Sequence, residues 1–450
     1  MKPNLMFLII DSFRADKFHG SNKTSQTPNI DSLIKNGMYF DQAVSASDAT
    51  LMSWSSIFTS KFPFKTGIRS ARFNKLDENV TTYFHILKKE GYHFYGLLPT
   101  LSETIGLFPS FENQDFLYDL NQRLDTGLGD NILTKLEASK KEPWFFLAHI
   151  MDLHFPIVVP KNFDDQKFGT SYYEKAVSAL DVWVGKFFNK INLDDTLFLI
   201  ISDHGSYIKS VNVDGTNINF EENIQTQALT SKLSKKIPKF AQPLKNKIFL
   251  SMEENTQKKR NEILSKFTLK PHQKRALLSG RADKDHFLFD ENIRIPLLFL
   301  GPGVQQNQVI HDQVRSVDVF PTVCDLLGIK NPANIDGKSL LPIIDGKKEE
   351  LPAYIESTPL VLTDSNDVVG IRTSKFKYFR DKNDPKNRIH LFDLQNDPNE
   401  DENIASAKPE MVDELESVLQ NILKQENTIK ETINDESQEI ENELRKLGYV

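Results

Sequence analysis

The chain has 450 residues, 39% hydrophobic and 26% charged, with 32 Phe. That is enough apolar material for a sizeable core, so wholesale disorder is excluded, and the length allows two or three domains. A single cysteine excludes a disulfide framework and a Cys-cluster metal site; 55 Lys and Arg against 62 Asp and Glu, a net charge of −7, exclude a uniformly basic nucleic-acid binder, and no specific nucleic acid is expected as a partner.

The first apolar run, Leu5–Ile10, is far short of the ~20 residues that cross a bilayer and has no small-residue cleavage site after it. It reads as a buried strand that delivers Asp11 at its C-terminal end. No signal peptide is expected, and with one cysteine the expected location is the cytoplasm. Ile30–Gly37 (IDSLIKNG) and Thr81–Gly91 (TTYFHILKKEG) read as helices that each stop at a glycine. Trp144–His149 (WFFLAH), Thr196–Ser202 (TLFLIIS) and Ile295–Leu300 (IPLLFL) are further short apolar runs without alternation, as in strands buried on both faces. Strands alternating with helices predict an α/β fold: a large, mostly parallel sheet flanked by helices.

Past about Pro352 the pattern changes. Val368–Arg380 and Ile389–Leu394 read as antiparallel strands, and from Pro409 the chain reads as helical and acidic. The expected organisation is a catalytic domain over 1–350 and a C-terminal subdomain with terminal helices over 351–450. The first contains a basic helical insertion at about 206–285. Its centre, residues 226–281, holds 14 Lys and Arg against 3 Glu and no Asp. The plain reading is a solvated helical hairpin on the domain edge. The sharper reading is an arm that recruits a polyanionic or membrane-surface substrate. Few aromatics interrupt it, which argues against stacking on single-stranded nucleic acid.

Asp203-His204-Gly205 follows a strand. A carboxylate and an imidazole there can turn toward one metal ion, or be a structural cap beside a surface histidine. Asp11 can supply a third ligand or simply cap a turn. In Ala49–Ser60 (ATLMSWSSIFTS), Thr50 sits at a candidate helix start. A hydroxyl near a divalent cation can become a nucleophile, and a helix N-terminus favours an anionic group; a bare N-cap is the alternative.

Taken in order, these segments resemble the sulfatase family of the alkaline phosphatase superfamily. DSFRADKFHG and TPNIDSLIKNGMYFDQA are similar to its first metal-binding strand and helix, and ATLMSWSSIFTSKFPFKTGI to its nucleophile segment. FFLAHIMDLHFPI resembles the strand carrying a substrate-side histidine, and LFLIISDHG the second metal-binding strand. HFLFDENIRIPLLFLGPGV, VRSVDVFPTVCDLLGI, IDGKSLLPIIDG, KFKYFR and HLFDLQNDPNEDENIA follow in the family's order, and ELRKLGYV matches a common ending. The resemblance implies an alkaline phosphatase/sulfatase-like fold with a small C-terminal antiparallel sheet. It implies that Asp11, Asp203 and His204 bind metal with Thr50 completing the set as nucleophile. His154 would contact the substrate or protonate the leaving oxygen, and His286 would contact the transferred group.

The chain also departs from that family. Its nucleophile is a Cys or Ser, oxidised to formylglycine, within Cys/Ser-x-Pro-x-Arg. Here threonine stands at 50, Met52 replaces the proline and Trp54 the arginine. Threonine carries a methyl on Cβ and cannot become an aldehyde. Cys324 lies in a helix-like apolar segment and reads as a core residue. Thr50 must therefore attack directly. The leading expectation is a metal-dependent hydrolase or transferase of phosphate mono- or diesters. A sulfuric ester hydrolase without formylglycine is the alternative, and a non-catalytic sulfatase-like binding protein is the third reading. One divalent ion is expected, Mn²⁺, Zn²⁺ or Ca²⁺, on mixed carboxylate and imidazole ligands, with an anionic phosphate or sulfate ester as substrate.

Overall fold

Mostly apolar runs six or seven residues long, buried along most of their length, build the centre of the molecule. In the computed structural model, which describes residues 2–68, 75–139, 141–221, 255–279, 288–347, 350–357 and 367–424, they become β1 (Asn4–Ile10), β2 (Met38–Val44), β3 (His93–Pro99), β5 (Trp144–Ile150), β6 (Thr196–Ile201) and β9 (Arg294–Leu300). Two-residue β4 (Leu117–Tyr118) and β11 (Val314–Arg315) and three-residue β10 (Gln308–Ile310) complete a nine-stranded sheet. Its order is β10-β2-β9-β6-β1-β5-β3-β4, with β11 also on β2.

β1 lies between β5 and β6, parallel to both, and Ile9 is level with His149 on one side and Ile201 on the other. All three strands are buried along their length, as expected for a sheet covered on both faces. Being parallel and in register, they end at one rim, the edge at which open α/β sheets bind ligands. β9 runs antiparallel to both β6 and β2, so the sheet is mixed where an all-parallel reading of the apolar runs would not place a reversal.

The expected helices form at Pro28–Asn36 and Tyr83–Lys89. Gly37 follows the first in an extended conformation. A Cβ on it would lie 2.6 Å from the Phe299 carbonyl oxygen, so close packing against β9 requires the glycine. Between the helices and the sheet, Phe7, Phe58, Phe84, Phe145 and Phe320 form one aromatic cluster with ring centroids about 5–6 Å apart.

The C-terminal part forms a second sheet, antiparallel throughout: β12 (Ala353–Ser357), β13 (Val368–Arg372), β14 (Phe376–Asp381) and β15 (His390–Asp393). The expected strand at 368–380 is a hairpin, split at Thr373–Lys375, and β12 was not legible in the sequence. The Pro409–Leu423 helix covers this sheet through Leu415 and Leu419. A buried ion cluster ties it to the first sheet. Lys377 lies 2.5 Å from Asp290 and 2.7 Å from Glu400, while Arg372 holds the other Asp290 oxygen at 2.8 Å.

Within the expected insertion, β7 (Ser210–Val213) and β8 (Thr216–Asn219) form a hairpin. A helix at 255–264 and another at Pro271–Leu278 pack on it through Leu264 and Leu277, which meet Val213 and Ile218. The rest of the basic block, His286 and the final acidic segment fall outside the described residues. Among the described residues no helix is long and apolar enough to cross a membrane.

Candidate active site

Asp11 leaves β1 directly, and its backbone N–H donates to the Ile150 carbonyl of β5 at 2.9 Å. Asp203 and His204 follow β6. Ser202 places them: its hydroxyl lies 2.6 Å from the Ile10 carbonyl and accepts from Phe13 N–H at 2.9 Å, fastening the two strand ends together. Asp203 Oδ1 accepts from the backbone N–H groups of His204 (2.8 Å) and Ser12 (3.2 Å). Ser12 holds a left-handed backbone, φ 60°, to make that turn.

Thr50 comes from a different part of the chain. It is the first residue of the Thr50–Thr59 helix, behind Ala49 in the extended N-cap position. Every residue of this helix is buried, which has two consequences. Trp54, Ile57 and Phe58 join the core, while the hydroxyls need internal partners. Ser55 donates to the Met52 carbonyl at 2.8 Å, Thr59 to that of Ser55 at 2.6 Å, and Ser53 to that of Ser47 at 3.1 Å. So anchored, the helix holds Thr50 Oγ1 3.3 Å from Asp11 Oδ2 and 3.2 Å from His204 Nε2. Its unpaired first-turn N–H groups give this end a partial positive charge suited to an anion.

The four residues Asp11, Thr50, Asp203 and His204 thus meet in one buried pocket. Asp203 Oδ2 is buried there with no hydrogen-bond partner. A buried carboxylate oxygen left bare is costly, and a cation removes the cost. His204 Nδ1 lies 2.7 Å from the Gly205 carbonyl, which only accepts, so Nδ1 carries a proton and Nε2 is the nitrogen left to face a cation in the pocket. Two carboxylates, one imidazole lone pair and a hydroxyl are a donor set that fits one divalent cation.

The charges are mutually tuned. Burial works to raise Asp11, but His154, the hydrogen bond from His149 and the charge of His204 outweigh it and hold that carboxyl well below the usual range. Asp203 goes the other way, raised by burial and by the charge of Asp11. His204 is raised: burial opposes the shift, but Asp203 and Asp11 win. The behaviour is that of two carboxylates sharing a site in which only one ionises easily. His154, buried and close enough to act on Asp11, lies on the turn after β5, where its N–H donates to the Met151 carbonyl at 3.1 Å.

Sequence reasoning assigned no role to His149. Its ring nitrogen, with oxygens of Asp11 and Asp203, forms a group whose members lie within 4.8 Å of one another. The signal was present, since a histidine ends an otherwise apolar strand run, but a buried histidine is ordinarily a satisfied core residue. Nearby, the C-terminal sheet reaches the loop before Thr50. Ser47 pairs with Glu356, and Ser357 donates to Asp48 at 2.9 Å; burial pushes the Asp48 carboxyl up to about 6.

Residues 3–329 match the family described as Sulfatase. This chain belongs to the sulfatase family. Residues 280–428 match a second description, N-sulphoglucosamine sulphohydrolase, C-terminal. Arylsulfatase K of Bos taurus is 25% identical over 94% of this chain and 82% of its own. Among solved structures, a 2-O GAG sulfatase aligns with TM-score 0.63 at 19% identity over 97% of this chain and 96% of its own. The phosphonate monoester hydrolase of Agrobacterium radiobacter aligns with TM-score 0.65 at 14% identity over 94% and 96%. The chain is therefore a sulfatase-family ester hydrolase with the fold expected from its sequence. The relatives favour sulfuric esters over the phosphate esters that the threonine suggested first, and they lend nothing to a phosphodiesterase.

Proposed function

We propose that the protein is a metal-dependent sulfuric ester hydrolase with Thr50 as a direct nucleophile. The observation that carries this reading is the position of Thr50 Oγ1, held within 3.3 Å of both Asp11 and His204 in a chain that belongs to the sulfatase family. Asp11, Asp203, His204 and Thr50 would hold one divalent cation. When bound, such an ion lowers the pKa of a coordinated hydroxyl and neutralises developing charge on sulfate oxygens.

The chain's own residues do the rest. The buried helix start orients Thr50 and excludes bulk water. Its first-turn N–H groups donate to the oxygens of the anionic ester. With its hydroxyl proton already lost to solvent, the Thr50 oxygen bonds to sulfur, the S–O bond to the alcohol breaks, and His154 gives the leaving oxygen a proton. Water then attacks the sulfothreonine sulfur, His154 takes one of the water's protons, the bond from sulfur to Thr50 Oγ1 breaks, and hydrogen sulfate leaves with the Thr50 alkoxide regenerated. His286, outside the described residues, remains a candidate contact to the transferred group. Sulfated saccharides, as with the GAG sulfatase, are the substrate class we favour. The basic block at 226–281 is a candidate recruiter of such polyanions.

Phosphate or phosphonate esters are the second reading, and Thr50 itself favours it. An unmodified hydroxyl forms a phosphothreonine that water opens more readily than a sulfothreonine, whereas formylglycine enzymes release sulfate by collapse of a hemiacetal. A panel of p-nitrophenyl sulfate, p-nitrophenyl phosphate, bis-p-nitrophenyl phosphate and a phosphonate monoester, each with Mn²⁺, Zn²⁺ or Ca²⁺, separates the two. Sulfate turnover lost in Thr50→Ala is the expected result. Turnover of the phosphorus esters alone would overturn the sulfuric ester assignment.

A further inference from the structure

His149 and His204 flank the same pocket, and their hydrogen bonds orient them in opposite senses. His204 holds a proton on Nδ1 toward the Gly205 carbonyl and turns Nε2 toward Thr50. His149 is connected the other way round. Its Nδ1 lies 3.1 Å from Trp54 Nε1, and an indole N–H only donates, so Nδ1 must carry a lone pair. The ring proton is then on Nε2, which donates to Asp11 Oδ2 at 3.2 Å. A doubly protonated ring would set its Nδ1–H against the indole N–H. Both side chains are fully buried, and the two rings meet edge to face at 4.7 Å, so no water substitutes for either partner.

A metal-bound imidazole donates its second N–H to a carbonyl, a carboxylate or water. His204 meets this pattern, whereas the second nitrogen of His149 faces a donor. We infer that His149 is a positioning residue and not a metal ligand, despite its place among the carboxylate oxygens of Asp11 and Asp203. Trp54 sets its tautomer, and its Nε2–H clamps Asp11 Oδ2 in the orientation that faces the cation and Thr50. Trp54 stands where the family's nucleophile signature carries arginine, so a Trp54–His149 pair organises Asp11 from the nucleophile helix. The inference rests on the reading of Asp11 as a metal ligand.

Two measurements on the full chain test it. With ¹⁵N-labelled histidine and no metal, long-range ¹H–¹⁵N spectra read each tautomer, with His149→Gln and His204→Ala supplying the assignments. We expect Nε2–H alone for His149, a proton on Nδ1 of His204 whatever the state of its Nε2, and a loss of the single His149 tautomer in Trp54→Phe. Loaded with Mn²⁺, the protein should show one coordinated imidazole nitrogen by electron spin-echo modulation, lost in His204→Ala and kept in His149→Gln. Glutamine retains one acceptor and one donor end, so its Mn²⁺ affinity should stay within about tenfold, whereas His149→Leu should lose about 10–100-fold. An Nδ1–H tautomer at His149, or a second coordinated nitrogen that vanishes in His149→Gln, would overturn the inference. Failure to bind Mn²⁺ at all would count against the metal reading, and the tautomer spectra would still decide how His149 is held.

Discussion

Asp11 and Thr50 lie 39 residues apart in the chain, yet Thr50 Oγ1 stands 3.3 Å from Asp11 Oδ2. One leaves the end of the central strand and the other opens a fully buried helix. The contact puts a hydroxyl against a carboxylate held well below its usual range, which favours its charged form.

Thr50→Ala should lower kcat by about 10³-fold or more, because it removes the attacking atom and leaves the pocket otherwise intact. Thr50→Ser keeps the hydroxyl and should retain measurable turnover. Steady-state kinetics on the preferred ester distinguish the two. Full activity in Thr50→Ala would remove Thr50 from the nucleophile role.

Asp203→Asn should weaken metal binding by more than about 100-fold, since it neutralises the buried carboxylate whose Oδ2 has no hydrogen-bond partner. Titration calorimetry with Mn²⁺ provides the check. Dialysis against a chelator should abolish turnover in the wild type, and re-addition of the divalent ion should restore it.

Asp152 offers a test by pH. Its Oδ1 accepts the Leu124 N–H at 3.1 Å, its Oδ2 is buried without a partner, and burial pushes the carboxyl up to about 6. An acid raised in the folded state binds its proton more tightly folded than unfolded. Stability is therefore lost as pH rises from about 4 to about 6 and stays lower above. Asp152→Asn keeps the acceptor and removes the charge. It should gain about 2 kcal/mol at pH 7.5 and nothing below pH 4, read from denaturant midpoints. An equal gain at both pH values would exclude ionisation as the cause.

Lys377→Met should cost about 3–5 kcal/mol, because it strips the buried ammonium from Asp290 and Glu400, leaving Arg372 paired with Asp290. Burial pushes Glu400 up to about 7, so this carboxyl can take up a proton once the ammonium is gone, which holds the loss toward the lower end of that range. Urea unfolding would measure the loss. The clusters at the active site do not include Lys377, so kcat per folded molecule should hold.

The amino-acid sequence by itself determined the fold class and the family, and it marked Asp11, Thr50, Asp203 and His204 as candidates. Each of these lies at the end of a hydrophobic run or the start of a helix, and such boundaries are local properties of chain composition. It also marked Met52 and Trp54 as departures from the nucleophile pattern. Its preference for phosphate esters rested on one residue's chemistry, and relationships across most of the chain point to sulfuric esters instead. The reversal of β9, the hairpin within 368–380 and the strand β12 depend on which strands become neighbours, so they came only with the tertiary structure. So did the role of His149. A histidine's tautomer is set by whichever groups face its two nitrogens, and here those are Trp54 and Asp11, 95 and 138 residues away along the chain.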